Sequence, residues 1–122
     1  MKIFVSTPMN GLTDEEILSD HEKVVAKLRE MFGNDVEITW SFDTNWPEGA
    51  GRLWGWGRGL MAMDGCDIYC NVTNMREPGV FNGCEVERIA ANIAGMSMLE
   101  LNMDDLKEEI QNEQIQDTPV ES

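Results

Sequence analysis

The residues with the clearest chemical potential lie in the stretch GVFNGCEVERIAANIAG, residues 79–95. Gly79 and Gly83 lead into a segment of helical periodicity that opens with two carboxylates, Glu85 and Glu87. A glycine ahead of a helix lets the backbone approach a ligand closely, and the first helical amides offer donors at the positive end of the dipole. A carboxylate one turn in is kept ionised by that field, which suits a nucleophile rather than an acid. Acidic residues also open helices for stability alone, at roughly 0.3–1 kcal/mol each. Spacing by itself therefore leaves both glutamates open as simple helix-start residues.

Other side chains admit two readings each. Trp46, Trp54 and Trp56 offer flat apolar faces for a nucleobase, or packing against a glycine-rich segment. Arg52, Arg58 and Arg76 could clamp a phosphate or balance neighbouring acids. Asn10 and Gly11 could hold a sugar or phosphate, yet Asn-Gly is an everyday turn signal. His21 falls in mid-helix and is expected at the surface. Three cysteines, Cys66, Cys70 and Cys84, lack zinc-ligand spacing, so reduced thiols and no metal are expected.

The elements that must position these residues follow from pattern. KIFVS is a short apolar run ended by TPMNG, hence strand then loop. Thr13 and Glu16 form a capping box, Asp14 and Glu15 suit the helix start, and Ile17, Val24, Val25, Leu28 and Phe32 recur at helical spacing until Gly33-Asn34. VEITW, DIYCNV and MSMLEL read as further strands. RLWGWGRGLMAMDGC reads as a bent helix or a Gly-hinged loop, because Gly55, Gly57 and Gly59 each weaken a helix by roughly 1 kcal/mol. The helix from about Cys84 to Ala94 places Val86, Ile89, Ala90 and Ile93 on one face, and MDDLKEEIQNEQI reads as a polar final helix.

Strands alternating with helices predict a three-layer α/β/α, Rossmann- or flavodoxin-like domain around a parallel sheet of four to five strands. We expect a single domain over residues 1–115 and a polar tail over 116–122. Ligands of such sheets bind beyond the carboxyl ends of the strands. The loops STPMNG, SFDTNWPEG and TNMREPGVFNG should converge there, whereas Asp67 opens its strand and belongs near the opposite edge unless that strand starts late.

The formal charge of −14 over 122 residues argues against a nucleic-acid polymer or an anionic membrane as partner, while leaving room for a small ligand held by local donors. The acidic end, with Asp104, Asp105, Glu108, Glu109 and Glu113, is either a solvated face or a surface for a basic partner. No apolar run is long enough to span a bilayer, and the start lacks a signal-peptide pattern, so a cytoplasmic protein is expected.

The opening KIFVSTPMNG, the strand CDIYCNV and the block GCEVERIAANIAG resemble, in order of elements over roughly residues 2–100, the nucleoside 2-deoxyribosyltransferase family with its small phage and bacterial relatives. That family has a strand-opening aspartate and then a Gly-Thr-Ala-x-Glu block before an alanine-bearing helix. The resemblance implies that Glu87 is the nucleophile and Asp67 the partner aspartate. On that reading Ser6, Pro8, Asn10, Gly11, Trp46, Trp54, Gly79, Asn82 and Gly83, placed by their loops and side-chain chemistry, are expected around a small nucleoside or nucleotide with no cofactor, and the resemblance implies a homo-oligomer. Phe81 stands where the family carries aspartate or serine, and Cys84 replaces its threonine. PGVFNGCEVE also resembles, with one inserted residue, the signature of phosphoribohydrolases that release bases from nucleoside monophosphates.

Both resemblances imply cleavage or transfer at an N-glycosidic bond through Glu87, with Asp64, Asp67 and Asp43 as candidate proton donors and Asp67 favoured. The alternative is a non-catalytic nucleotide-binding or acidic protein-interaction module on the same fold, motivated by Phe81 and the −14 charge.

Overall fold

The computed structural model describes residues 1–7, 12–42, 45–73 and 83–106, apart from the side chains of 83–85. Strand and helix alternate throughout: β1 (Lys2–Ser6), α1 (Asp14–Phe32), β2 (Glu37–Trp40), α2 (Arg52–Met63), β3 (Ile68–Thr73), α3 (Gly83–Ile93) and β4 (Ser97–Asn102). The four strands form one all-parallel sheet in the order β2-β1-β3-β4. The chain thus steps one way from β1 to β2 and the other way from β1 to β3, which makes the carboxyl ends of β1 and β3 a topological switch point.

Side chains alternate across the sheet and so build a core on each face. Ile3, Val5, Cys70 and Val72 pack with Val24 and Leu28 of α1, and with Met103 and Leu106 of a helical turn at 103–106. Phe4 and Tyr69, pointing the other way, pack with Met63 of α2 and Ala91 of α3. The result is the expected three-layer α/β fold, with α1 on one face and α2 and α3 on the other.

Local sequence accounts for most boundaries. The Thr13 hydroxyl accepts from the Glu16 amide while the Glu16 carboxylate accepts from the Thr13 amide, so the capping box is complete. Gly33 caps the other end of α1, and Gly95, at φ +77°, takes the left-handed turn that follows α3.

Three points decide what pattern left open. First, of the two readings of this stretch the helical one holds: Arg52–Met63 is a helix despite its three interior glycines. Two of them admit close approach: a Cβ on Gly55 would lie 2.6 Å from the Trp46 ring, and one on Gly59 would overlap the Glu87 carboxylate. At Gly55 and Gly59 neighbouring elements occupy the space that side chains would fill, whereas Gly57 faces open space.

Second, the buried side of α3 is Glu87 and Ala91, whereas Ile89 and Ile93 are exposed, Ile93 by 82%. Of the apolar stripe, Val86 and Ala90 are half-buried beside the inward-facing Glu87 and Ala91, and Ile89 and Ile93 form its outer edge. Leu53 and Met61 of α2, which packs against α3, are also exposed, by 78% and 77%.

Third, His21 is half-buried, with its ring packed on a neighbour. Its ring stacks on Trp40 at 3.6 Å between centroids and 9° between planes, and Trp40 in turn stacks on Phe42. Burial lowers the His21 pKa to about 4, and its Nδ1 has no hydrogen-bond partner among the described residues. The described methionines divide likewise, Met63 and Met103 being core and Met61 and Met98 exposed.

Candidate functional site

The site is built where β1 ends. Ile3 and Val5 face α1, so the intervening alternation sends Phe4 and Ser6 toward α2 and α3. Ser6 is fully buried, and its hydroxyl donates to Glu87 Oε1 at 2.8 Å. Glu87 reaches it from the first half of α3 with only 5% of its surface exposed. Ser41, just past the end of β2, lies on the same side as Ser6 by the same alternation and gives Glu87 a second hydrogen bond.

The other carboxylate oxygen, Oε2, lies against Gly59 of α2. Glu87 is therefore enclosed by two hydroxyl-bearing strand ends and a helix that approaches closely because it lacks a side chain there. Burial raises the Glu87 pKa, and the hydrogen bonds from Ser6 and Ser41 pull it back only in part. Desolvation of a nearly enclosed group thus acts against the helix-end field at Glu87.

Trp46 extends the same surface. Gly55 and Gly59 lie one turn apart on one face of α2. The Trp46 ring covers Gly55 where Glu87 covers Gly59. Trp46 also meets Trp54 at 5.2 Å with planes tilted by 55°, and it remains 48% exposed. The packing reading of Trp46 is thus met at one edge of the ring, and the rest is accessible.

Asp67 is not brought to Glu87. Its carboxylate accepts from the Lys2 amide at 2.9 Å, and its own amide donates to the Lys2 carbonyl at 2.8 Å. Lys2 and Ser6 are the two ends of β1, so Asp67 and the Ser6–Glu87 pair are separated by about 13 Å, four strand residues at ~3.3 Å each. Pairing Asp67 with Glu87 within one chain is corrected on that ground: an aspartate directly before its strand lies at the amino edge of a parallel sheet. Asp64 caps the end of α2 that returns to the amino edge, so it lies on that side as well.

Gly83 begins α3. Pro8, Asn10, Gly11, Gly79 and Asn82 lie outside the described residues, as do Asp43, Arg76 and Phe81. Ser41 and Gly59 were missed from sequence. Gly59 had a legible signal, since it stands four residues after Gly55 and so shares its helix face, but no local pattern says what approaches it.

Cys66 and Cys70 are free thiols, and burial pushes the Cys70 thiol up to about 12. Among the described residues no group of three or more His, Cys, Asp or Glu side chains is arranged to hold a metal ion. No described helix is long and apolar enough to cross a membrane. No family model, curated protein or solved structure matches the chain.

Proposed function

We propose that the protein cleaves or transfers at the N-glycosidic bond of a small (deoxy)nucleoside or nucleoside monophosphate, with Glu87 as the nucleophile. The observation that carries this reading is the enclosed Glu87 carboxyl on Ser6 at the switch point of a parallel sheet. Carboxyls with burial-shifted pKa at such points are prime reagents.

In the first step an ionised Glu87 oxygen bonds to the anomeric carbon as the carbon–nitrogen bond breaks. The departing base keeps the electron pair and takes a proton from water, since Asp67 lies at the far edge. In the second step a base nitrogen or a water oxygen bonds to the anomeric carbon and loses its proton to solvent, as the bond to Glu87 breaks and the carboxylate is restored. Ser6 and Ser41 hold the carboxylate in place, and a higher pKa makes its ionised form the stronger nucleophile. Trp46 and Trp54 supply an aromatic wall for the base.

The exposed Leu53, Met61, Ile89 and Ile93 support a homo-oligomer formed through the α2–α3 surface, and the free thiols support a cytoplasmic setting. Sedimentation of the wild type as an oligomer, and of Ile93→Glu as a smaller species, is the expected outcome. A wild-type monomer contradicts it.

Chromatography of deoxynucleoside and nucleoside monophosphate panels tests the activity. Wild type should release free base and Glu87→Ala should not. Equal release by both removes Glu87 from the reaction.

The second reading is a non-catalytic nucleotide-binding module, favoured by one observation, that Asp67 is committed to the Lys2 backbone and so lies away from Glu87. Thermal stabilisation by a deoxynucleoside with no base released over the same period would select it.

A further inference from the structure

The strand order β2-β1-β3-β4 leaves β4 at the edge of the sheet, paired among the described residues with β3 alone. Its register with β3 runs unbroken from Ser97 to Asn102, without a bulge, and SMLELN contains no proline or lysine. Edge strands are ordinarily blunted by such features, because a row of unpaired N–H and C=O groups is a template for another strand. β2, at the other edge, is only four residues long.

The ladder identifies which groups are open. The Leu101 carbonyl accepts from the Thr73 hydroxyl at 3.4 Å, so it is turned toward β3. Backbone polar groups alternate in direction along a strand, which turns those of Leu99 toward β3 as well and those of Met98 and Glu100 toward the open side.

Met98 and Glu100 pair in register with Tyr69 and Asn71 and share their face of the sheet, the α3 side. A groove of about 280 Å³ opens there between β4 and α3, lined by Asn71, Arg88, Asn92, Met98, Leu99 and Glu100. Side chains of an added strand would alternate in the same way, so every second one would lie along this groove. Met98, 45% exposed, gives the groove an adaptable apolar wall.

Charge selects the occupant. Residues 97–106 carry three exposed carboxylates, Glu100, Asp104 and Asp105, and no basic side chain. Asn102 Oδ1 accepts from the Asp104 and Asp105 amides at 2.8 and 3.4 Å, which holds both aspartates at the carboxyl end of the open edge. Arg88, across the groove, is already engaged within the chain. A second copy presenting the same edge would set like charges side by side, in a chain of formal charge −14. A cationic segment gains from the same row.

We propose that the β4 edge is a docking surface for an extended cationic peptide segment. The segment adds to the sheet as a further strand, with an apolar residue beside Met98 and a Lys or Arg beside Glu100. This docking is independent of the glycosyl-transfer reading, since neither Glu87 nor Ser6 takes part in it.

Fluorescence anisotropy with a labelled hexapeptide of alternating valine and lysine, combined with amide exchange followed by NMR, tests the docking on the full chain. The peptide should bind, less tightly as salt is raised, and should slow exchange at the Met98 and Glu100 amides. An alternating valine–glutamate peptide should not bind, nor should the valine–lysine peptide carrying N-methyl groups on its backbone amides, which keeps the charge but cannot form a ladder. Glu100→Lys, a change at an exposed position, should weaken binding about fivefold or more. No binding of the valine–lysine peptide, equal binding of its N-methylated form, or unaltered binding to Glu100→Lys overturns the proposal. So does slow exchange at the Met98 and Glu100 amides before peptide is added, which means an edge already covered, by the rest of the chain or, where the protection depends on concentration, by a second copy.

Discussion

Ser6 and Glu87, 81 positions apart in the chain, are joined by a 2.8 Å hydrogen bond in the buried interior. That bond links the end of the first strand to the third helix, and the close approach of Gly59 seals it from the other side. The arrangement keeps a carboxyl desolvated at the point where parallel sheets of this order bind ligands.

Gly59→Ala and Gly57→Ala should act in opposite directions. Both replace a helical glycine, which alone gains roughly 0.5–1 kcal/mol. A methyl on Gly57 meets nothing within 4 Å, so that variant should be more stable than wild type. A methyl on Gly59 meets Glu87 Oε2 and, at 3.2 Å, Ser41 Cβ, and should cost a net ~1–3 kcal/mol. Urea midpoints of the two variants check the sign, and equal midpoints would mean that α2 does not approach Glu87.

Glu87→Gln should stabilise the protein at neutral pH. The folded-state pKa of Glu87 lies above its ordinary value of 4.5, so the folded protein binds the proton more tightly than the unfolded chain. Its contribution to stability is therefore full below about 4.5 and is lost as pH rises through the higher folded value. The amide retains the bond from Ser6 without that loss. A Tm increase of a few degrees at pH 7, vanishing near pH 4, is the expected result. A pH-independent difference would refute the burial assignment.

His21 works in the opposite sense. Its pKa is lowered from 6.5 to about 4, so the stability it provides is full above 6.5 and lost as pH falls toward 4. His21→Phe preserves an aromatic ring over Trp40 without a group to charge. Its denaturation midpoint relative to wild type should rise between pH 7 and pH 4.5.

Asp67→Ala tests the corrected pairing. Loss of the bond from the Lys2 amide should cost about 1 kcal/mol, with the rate of base release at saturating substrate preserved. A collapse of that rate in a folded variant would return Asp67 to the chemistry.

The layered fold was readable because each strand and helix carries its own local signal, from the alternation of KIFVS to the Thr13–Glu16 capping box. The glycine before α3 marked a helix start but did not separate Glu87 from Glu85, which only the family resemblance did. What could not be read is tertiary. Nothing near Ser41 or Gly59 announces Glu87 as a neighbour, and helical spacing at Val86, Ile89, Ala90 and Ile93 identifies an apolar face without saying which side meets the sheet. The same limit applied to His21, whose burial depends on Trp40, 19 positions further along the chain. Asp67 was the reverse case, since its place before a parallel strand already put it at the amino edge.

The central claim is that Glu87 forms a bond to the sugar. Wild type and Glu87→Gln would be incubated with a deoxynucleoside, quenched in acid, digested and analysed by peptide mass spectrometry. The account predicts one deoxyribosyl group on the wild-type peptide containing Glu87, appearing with base release, and neither adduct nor released base from the variant. Base release by Glu87→Gln at the wild-type rate, with no adduct on that peptide in either protein, would contradict it.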